Sequence, residues 1–139
     1  MRNLVLALLI GSALLSCKKK TTDSDCEHKI CTEEFRSIVL KFVDNKALAA
    51  EVKDFTVINQ RTGEKVYANS AMAANLTKGS YIVVDDGNTK SLSEEGDDLK
   101  ITGTFEKTGQ TKSAIIKVTG GICACHINKV SGPEQIAFD

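Results

Sequence analysis

From residue 35 to the C-terminus, hydrophobic and polar residues follow the pattern of short β-strands. The clearest case is residues 99–107, where Leu99, Ile101, Gly103 and Phe105 alternate with polar residues. Such alternation places every second side chain on one face of a sheet, so it predicts a half-buried strand. Segments rich in β-branched and aromatic residues predict further strands over residues 35–43, 53–59, 65–68, 80–85, 112–119, 122–130 and 135–138.

Turn residues separate these segments and set the fold class. Glycine, asparagine and aspartate mark turns at residues 44–46, 60–64, 86–88 and 108–110. We interpret residues 47–51 as a connection, whereas residues 69–75 favour a helix that is too short to be stable alone. Short strands with frequent turns predict an all-β fold, an antiparallel β-sandwich of about seven strands of the immunoglobulin-like or transthyretin-like kind.

The first sixteen residues have a different pattern. A short n-region with one arginine precedes residues 4–15, which are almost wholly apolar. This run is shorter than the roughly 20 apolar residues that span a bilayer, and it has the proportions of a signal-peptide h-region. The following Leu14-Leu15-Ser16-Cys17 resembles the lipobox of bacterial lipoproteins. The resemblance implies cleavage after Ser16, a diacylglyceryl group on the Cys17 thiol, and acylation of the new amino group, for example with palmitate.

A polar segment follows Cys17 and separates it from the strands. Residues 18–25 contain three lysines and no apolar residue, which is typical of a flexible tether. We therefore divide the chain into a signal peptide (1–16), a lipidated N-terminus with tether (17–30) and a β-sandwich domain (31–139). The expected location is the cell envelope, with the lipid in the outer membrane and the domain on its periplasmic or its surface face.

The end of the last long predicted strand carries a second resemblance. Residues 125–133, Cys-His-Ile-Asn-Lys-Val-Ser-Gly-Pro, resemble the close of small lipoproteins from Bacteroidota-like bacteria, a group without an assigned activity. The resemblance implies no functional residue. Some of these lipoproteins have an acidic export signal directly after the lipidated cysteine, whereas this chain has three lysines there.

Composition argues against several function classes. Eighteen basic and eighteen acidic residues give a formal net charge of +0, so no nucleic-acid partner is expected. The chain has seven aromatic residues and no tryptophan, which weighs against a module that stacks sugars on exposed rings. It has two histidines and lacks the serine-elbow, zinc-protease and phosphate-loop motifs. We therefore expect no enzyme and no cofactor.

Four cysteines besides Cys17 form an even set, namely Cys26, Cys31, Cys123 and Cys125. An exported protein crosses an oxidising compartment, so disulfides are the favoured interpretation. On a strand, residues two apart stand about 7 Å from each other, too far for the roughly 4 Å that a disulfide needs between Cβ atoms. This disfavours a Cys123–Cys125 bridge and leaves two crossing pairings open.

Two alternatives for the cysteines remain. Cys123, Cys125, His126 and His28 are the candidate ligands of a zinc or Cu(I) site, because thiolate and imidazole suit these metals. The Cys-x-Cys-His spacing lacks the usual Cys-x2-Cys geometry of zinc sites, and strand alternation would place His126 opposite Cys125. A reactive redox pair is the second alternative. As a catalytic base, His126 is a weak candidate.

The sequence therefore favours a non-enzymatic binding or accessory module that is anchored in the membrane through lipid. Its expected partner is an envelope protein or a glycan. One alternative function is Cys/His metal handling. Another is a small enzyme or an inhibitor of an exogenous enzyme, and an inhibitor would use the acidic loop 85–98 as its rigid contact. The same loop offers carboxylates for Ca²⁺ but lacks EF-hand spacing, so a solvated loop is favoured there.

Overall fold

The computed structural model describes residues 26, 29–68 and 76–139 of the chain. The predictions for the signal peptide, for Cys17, for the tether as far as residue 25, for His28 and for residues 69–75 lie outside these residues. Across the described part of the chain, no helix has the length and apolar character needed to cross a membrane.

The described residues form two β-sheets. The strands are β1 Ser37–Val43, β2 Val52–Asn59, β3 Ser80–Asp85, β4 Asp97–Phe105, β5 Thr111–Thr119, β6 Asn128–Ser131 and β7 Gln135–Ala137, with a 3-10 helix at Asp86–Ser91. One sheet has the order β3-β1-β7 and the other the order β2-β4-β5-β6. All pairs are antiparallel except β1 with β7. The predicted all-β sandwich is therefore confirmed as a two-sheet fold.

The core lies between the inner faces of the two sheets, and alternation along the strands fills it. Leu99, Ile101, Gly103 and Phe105 of β4 are all buried, while the residues between them are more exposed. A Cβ at Gly103 would come within 2.8 Å of the Phe42 ring, so glycine is required for that ring to pack against β4. Burying such side chains is worth roughly 1.5–3 kcal/mol each for the large aliphatic and aromatic ones.

The two ends of the domain meet in the smaller sheet. Parallel pairing of β1 with β7 sets Phe42 beside Ile136, and the Phe138 amide donates to the Val43 carbonyl at 2.8 Å. The Phe138 ring is buried and stacks on Phe42, with centroids 5.7 Å apart, and on Phe105 at 5.0 Å. The last residues of the chain are thus part of the core.

The predicted strand over residues 122–130 is wrong for most of its length. Only Asn128–Ser131 is strand; Ile122 and Cys123 lie in a turn, and no regular element forms before Asn128. The reason is a set of contacts with the 3-10 helix. The Gly121 amide donates to the Thr89 carbonyl at 2.8 Å, and the Ile127 amide donates to the Asp86 carboxylate at 2.9 Å. These bonds satisfy the amides of Gly121 and Ile127 without a strand partner.

Two smaller predictions also differ from the structure. Residues 65–68 form only an isolated bridge, between Lys65 and Ile58, instead of a strand. The turn predicted at residues 86–88 is the start of the 3-10 helix, where the Asp85 carboxylate accepts from the Gly87 amide at 2.9 Å and caps the helix. Residues 47–51 are a connection, as predicted, with Ala47 at a φ of 60°.

Candidate functional site

Two disulfides join the N-terminal segment to the loop before β6. Cys26 pairs with Cys123 and Cys31 with Cys125, and both pairs have a Cα–Cα distance of 5.3 Å. This is one of the two crossing arrangements that the sequence left open. Taken alone, either bridge closes a loop of nearly one hundred residues, for which the chain-entropy model gives about 4 kcal/mol of stabilisation. Because the bridges lie side by side, the second closes only a short ring and adds less. Together they fasten the residues before β1, of which none that the structure describes lies in a strand.

The reason given for rejecting a Cys123–Cys125 bridge was nevertheless wrong. It placed both cysteines on a strand, whereas the structure has Cys123 in a turn and Cys125 in a bend. The local geometry of this loop is set by Gly121, whose φ of 116° is a conformation that side chains strongly disfavour. The observed pairing thus depends on the conformation of this loop, which differs from that of a strand.

His126 stands between a carboxylate and a hydroxyl. Its Nδ1 lies 2.7 Å from Oδ2 of Asp86, and its Nε2 lies 2.9 Å from Oγ1 of Thr32. The side chains of His126 and Asp86 are 10% and 9% exposed, whereas Thr32 is an exposed residue. Because residues 122–127 are not a strand, the predicted placement of His126 by alternation does not apply.

The Asp86 carboxylate is the centre of this arrangement. Besides His126 it accepts hydrogen bonds from the Arg36 amide at 2.7 Å and the Ile127 amide at 2.9 Å. Burial acts to raise the pKa of Asp86, but the bonds from Arg36, Ile127 and His126 outweigh burial and hold that pKa below its usual value of 3.8. Asp86 is therefore a carboxylate, an acceptor only, at neutral pH.

The ionised carboxylate fixes the protons on the imidazole. Since Asp86 Oδ2 can only accept, Nδ1 of His126 carries the proton between them, and in the neutral ring Nε2 is then an acceptor. The only hydrogen left for the second contact is that of the Thr32 hydroxyl, which donates to Nε2. Thr32, His126 and Asp86 form a hydroxyl–imidazole–carboxylate chain.

The ligands proposed for the metal alternative are not assembled as free groups in this structure. The sulfurs of Cys123 and Cys125 are in disulfides, and both ring nitrogens of His126 are hydrogen-bonded. His28 lies outside the described residues. Within the part of the chain that is described, no three histidine, cysteine or acidic side chains are placed to hold a metal ion.

The acidic segment is largely engaged with the protein itself. Asp97 is fully buried and accepts from Asn59 at 2.7 Å, from Arg61 Nη2 at 2.8 Å and from the Ser93 amide at 3.2 Å. The bond from the Arg61 guanidinium holds the pKa of Asp97 below its usual value, against the effect of burial. With Asp85 capping the 3-10 helix, the loop predicted to be solvated is instead partly folded.

An apolar groove lies on the opposite side of the sandwich from β6 and β7. It has a volume of about 420 Å³ and opens between β2 and β3, which are edge strands of the two sheets. Aromatic and aliphatic side chains form most of its lining, chiefly Phe55, Val66, Tyr67, Leu76, Tyr81 and Ile82. Pockets of this size and character are the usual binding sites of small or extended ligands.

Ring packing shapes the floor of this groove. Phe55 and Tyr81 stack with centroids 4.9 Å apart, and the Tyr81 hydroxyl contacts the amide and the carbonyl of Val52 at 2.8 and 3.2 Å. Tyr67, in contrast, is 75% exposed at the rim. The floor is therefore fixed, while one large aromatic ring faces solvent beside it.

Sequence reasoning missed both arrangements. Thr32 and Asp86 were not singled out, although Thr32 follows Cys31 and His126 follows Cys125. Once Cys31 and Cys125 are paired, the two following residues become neighbours, so the pairing would have indicated the contact. The groove had no sequence signal, because it depends on which strands end up at the edges of the two sheets.

Comparison with known proteins finds no matching family model, no matching curated protein and no matching solved structure.

Proposed function

We propose that this chain is a lipid-anchored binding or accessory module of the cell envelope, and that its partner binds in the groove between β2 and β3. The anchor is supported by the h-region, the lipobox ending at Cys17 and the polar tether after it. Several acyl chains on one residue hold a protein firmly at a membrane, whereas a single chain binds reversibly. The proposed location is the outer membrane.

We also assign the sandwich to the immunoglobulin-like or transthyretin-like kind. Sheets of three and four strands match the seven-strand count of constant-type immunoglobulin domains. This scaffold does not determine what is bound, because binding depends on the particular surface that the scaffold carries.

The observation that carries the binding role is the apolar groove between β2 and β3. Its lining includes Tyr67, which is 75% exposed, and Ser80 and Tyr81, which are partly exposed, whereas residues 82–85 of β3 are buried. Exposed apolar surface of this kind often marks a site of interaction with another protein. A groove of apolar side chains suits an apolar peptide segment of a partner, whose side chains enter the groove.

The occupant we propose is accordingly an extended apolar segment of an envelope protein, in preference to a glycan. Sugars are recognised by exposed rings together with polar groups. In this groove Phe55 and Tyr81 stack on each other, and the Tyr81 hydroxyl is already bonded to Val52. Tyr67 is the one lining ring that is mostly exposed.

Site-specific photo-crosslinking in intact cells tests this proposal. A photo-reactive amino acid replaces Tyr67 in one strain and Ile115 in another. Ile115 is 53% exposed on β5, which β4 separates from the groove strand β2, and it serves as the matched control. We expect a discrete protein adduct from position 67 that position 115 does not give, mapped on the partner to an apolar segment. Equal adducts at both positions, no adduct, or a glycan adduct would each overturn the assignment.

The anchor is tested separately. Replacing Cys17 with serine should abolish incorporation of a labelled fatty acid. A Cys17→Ser protein that still incorporates the label would contradict lipid anchoring and leave the groove to be judged on the crosslinking alone.

A further inference from the structure

We propose that Thr32 is an activated nucleophile for acyl transfer, with His126 as its general base and Asp86 as the group that orients the base. The site lies at the disulfide-bonded end of the molecule and does not rest on the groove or on the binding function. The class of substrate is a carboxylic ester. The sequence led us to expect no enzyme, so a positive result would make that expectation wrong.

The geometry meets the requirements for such a site at each contact. A nucleophile and its base must be within about 2.6–3.2 Å, and a third group must orient the base. Thr32 Oγ1 lies 2.9 Å from Nε2 of His126, and Nδ1 lies 2.7 Å from the Asp86 carboxylate. Catalytic triads are recognised by this geometry and these roles, whatever the order of residues along the chain.

The protonation states agree with the geometry. Asp86 is ionised, so it holds the proton on Nδ1 and leaves the lone pair of Nε2 directed at the Thr32 hydroxyl. This is the tautomer in which an imidazole can take a proton from a nucleophile. The buried carboxylate beside the ring stabilises the imidazolium that forms when it does.

The surroundings hold the three groups in place while leaving one face open. The Cys31–Cys125 disulfide joins the residues that directly precede Thr32 and His126. Backbone amides of Arg36 and Ile127 fix the Asp86 carboxylate from two sides. Thr32 itself is exposed, whereas His126 is nearly buried, so an ester can approach the hydroxyl from solvent while the base stays in position.

The proposed reaction balances without any group beyond the substrate and water. The Thr32 oxygen bonds to the ester carbonyl carbon while its proton passes to Nε2. The carbon–oxygen bond to the alcohol then breaks, and the departing alcohol takes the proton from Nε2. Water attacks the acyl-Thr32 ester in the same manner, giving its proton to Nε2; release of the carboxylic acid returns that proton to the Thr32 oxygen.

The test uses the mature protein with both disulfides intact and p-nitrophenyl acetate as the probe. Peptide mass mapping locates the acetyl group, and nitrophenolate release gives the rate. We expect acetylation of the hydroxyl at position 32 in the wild type and in Thr32→Ser. We expect Thr32→Val to lose it and His126→Gln to slow it by about 100-fold or more, the usual contribution of a general base. Thr108→Val removes an exposed hydroxyl in another turn and should change nothing.

Folding is checked in every variant by intact mass and circular dichroism, so that loss of acetylation is not confused with loss of structure. Acetyl groups on lysines with none on Thr32, together with nitrophenolate release that Thr32→Val leaves unchanged, would overturn the proposal. So would acetylation of Thr32 at the wild-type rate in a folded His126→Gln variant, because the hydroxyl would then react without its base.

Discussion

The disulfide-bonded end and the groove are held together by different kinds of interaction. At the disulfide-bonded end, covalent bonds and hydrogen bonds fix polar groups. The Asp86 carboxylate, for example, accepts three hydrogen bonds, from Arg36, Ile127 and His126. At the groove, packing of Phe55 on Tyr81 sets the floor, while Tyr67 at the rim is mostly exposed. The first arrangement positions chemical groups precisely, whereas the second presents apolar surface to a partner. The comparison separates a site suited to reaction from a site suited to binding.

The largest expected effect comes from removing one disulfide at the first region. The variant Cys31→Ser with Cys125→Ser should lose about 2.5 kcal/mol of unfolding free energy, because Cys26–Cys123 still closes the long loop and the unfolded chain regains only the freedom of the short ring between the two bridges. Denaturant unfolding with and without the substitutions measures this. An unchanged midpoint of denaturant unfolding would show that the bridge does not restrain the unfolded state. Crosslinking through position 67 should persist under conditions in which the variant is folded, because the groove does not depend on this bridge.

Asp86→Asn should be the next largest change. The amide keeps one acceptor oxygen but turns a donor toward groups that themselves donate, which costs about 1–3 kcal/mol for a buried unmatched group. Chemical denaturation at neutral pH measures the loss. The matched control is Asp98→Asn, at an exposed aspartate of β4, which should change stability little. Equal stability of Asp86→Asn and wild type would contradict the role given to this carboxylate.

The lowered pKa of Asp86 predicts how the unfolding free energy depends on pH. The pKa values of Asp86 and Asp97 are lowered in the folded protein, so both groups stabilise the fold fully above the unfolded value near 3.8. That contribution is lost as the pH falls below 3.8 through the lower folded values. Thermal unfolding between pH 6 and pH 2 should show the decline, and Asp86→Asn should make it shallower. A decline of equal steepness in the variant would contradict the assignment.

A smaller effect is expected in the floor of the groove. Tyr81→Phe keeps the ring that stacks on Phe55 but removes the hydroxyl bonded to Val52, so we expect a loss of about 1 kcal/mol. Denaturant unfolding measures it. A loss several times larger would mean that the hydroxyl, more than ring packing, holds the floor together.

The smallest effect on stability is expected at the rim. Tyr67 is 75% exposed, so Tyr67→Ala should change the unfolding free energy by no more than about 0.5 kcal/mol. The same substitution should greatly reduce binding of the partner found by crosslinking, measured by titration. Unchanged binding would remove Tyr67 from the docking surface and weaken the contrast between the two regions.

The sequence predicted best where one local pattern decides the outcome. Residues 80–85 were predicted as a strand and are β3, because a run of β-branched residues has few alternatives to a buried strand. Residues 122–127 were wrongly predicted as strand, since contacts with Asp86 and Thr89, distant in sequence, hold their backbone. The disulfide pairing, the hydroxyl–imidazole–carboxylate chain and the groove all depend on such distant contacts, and a single sequence does not display them.

Hydrogen exchange of the amides along the groove tests the binding role most directly. It compares the lipidated protein in its own envelope membranes with the purified mature protein, using β6, an exposed edge strand away from the groove, as the internal reference. We predict that the amides of residues 65–68 and 80–81 exchange more slowly in the membranes, because a partner covers the groove, while those of β6 are unchanged. Identical exchange of residues 65–68 and 80–81 in both samples would contradict docking at this groove.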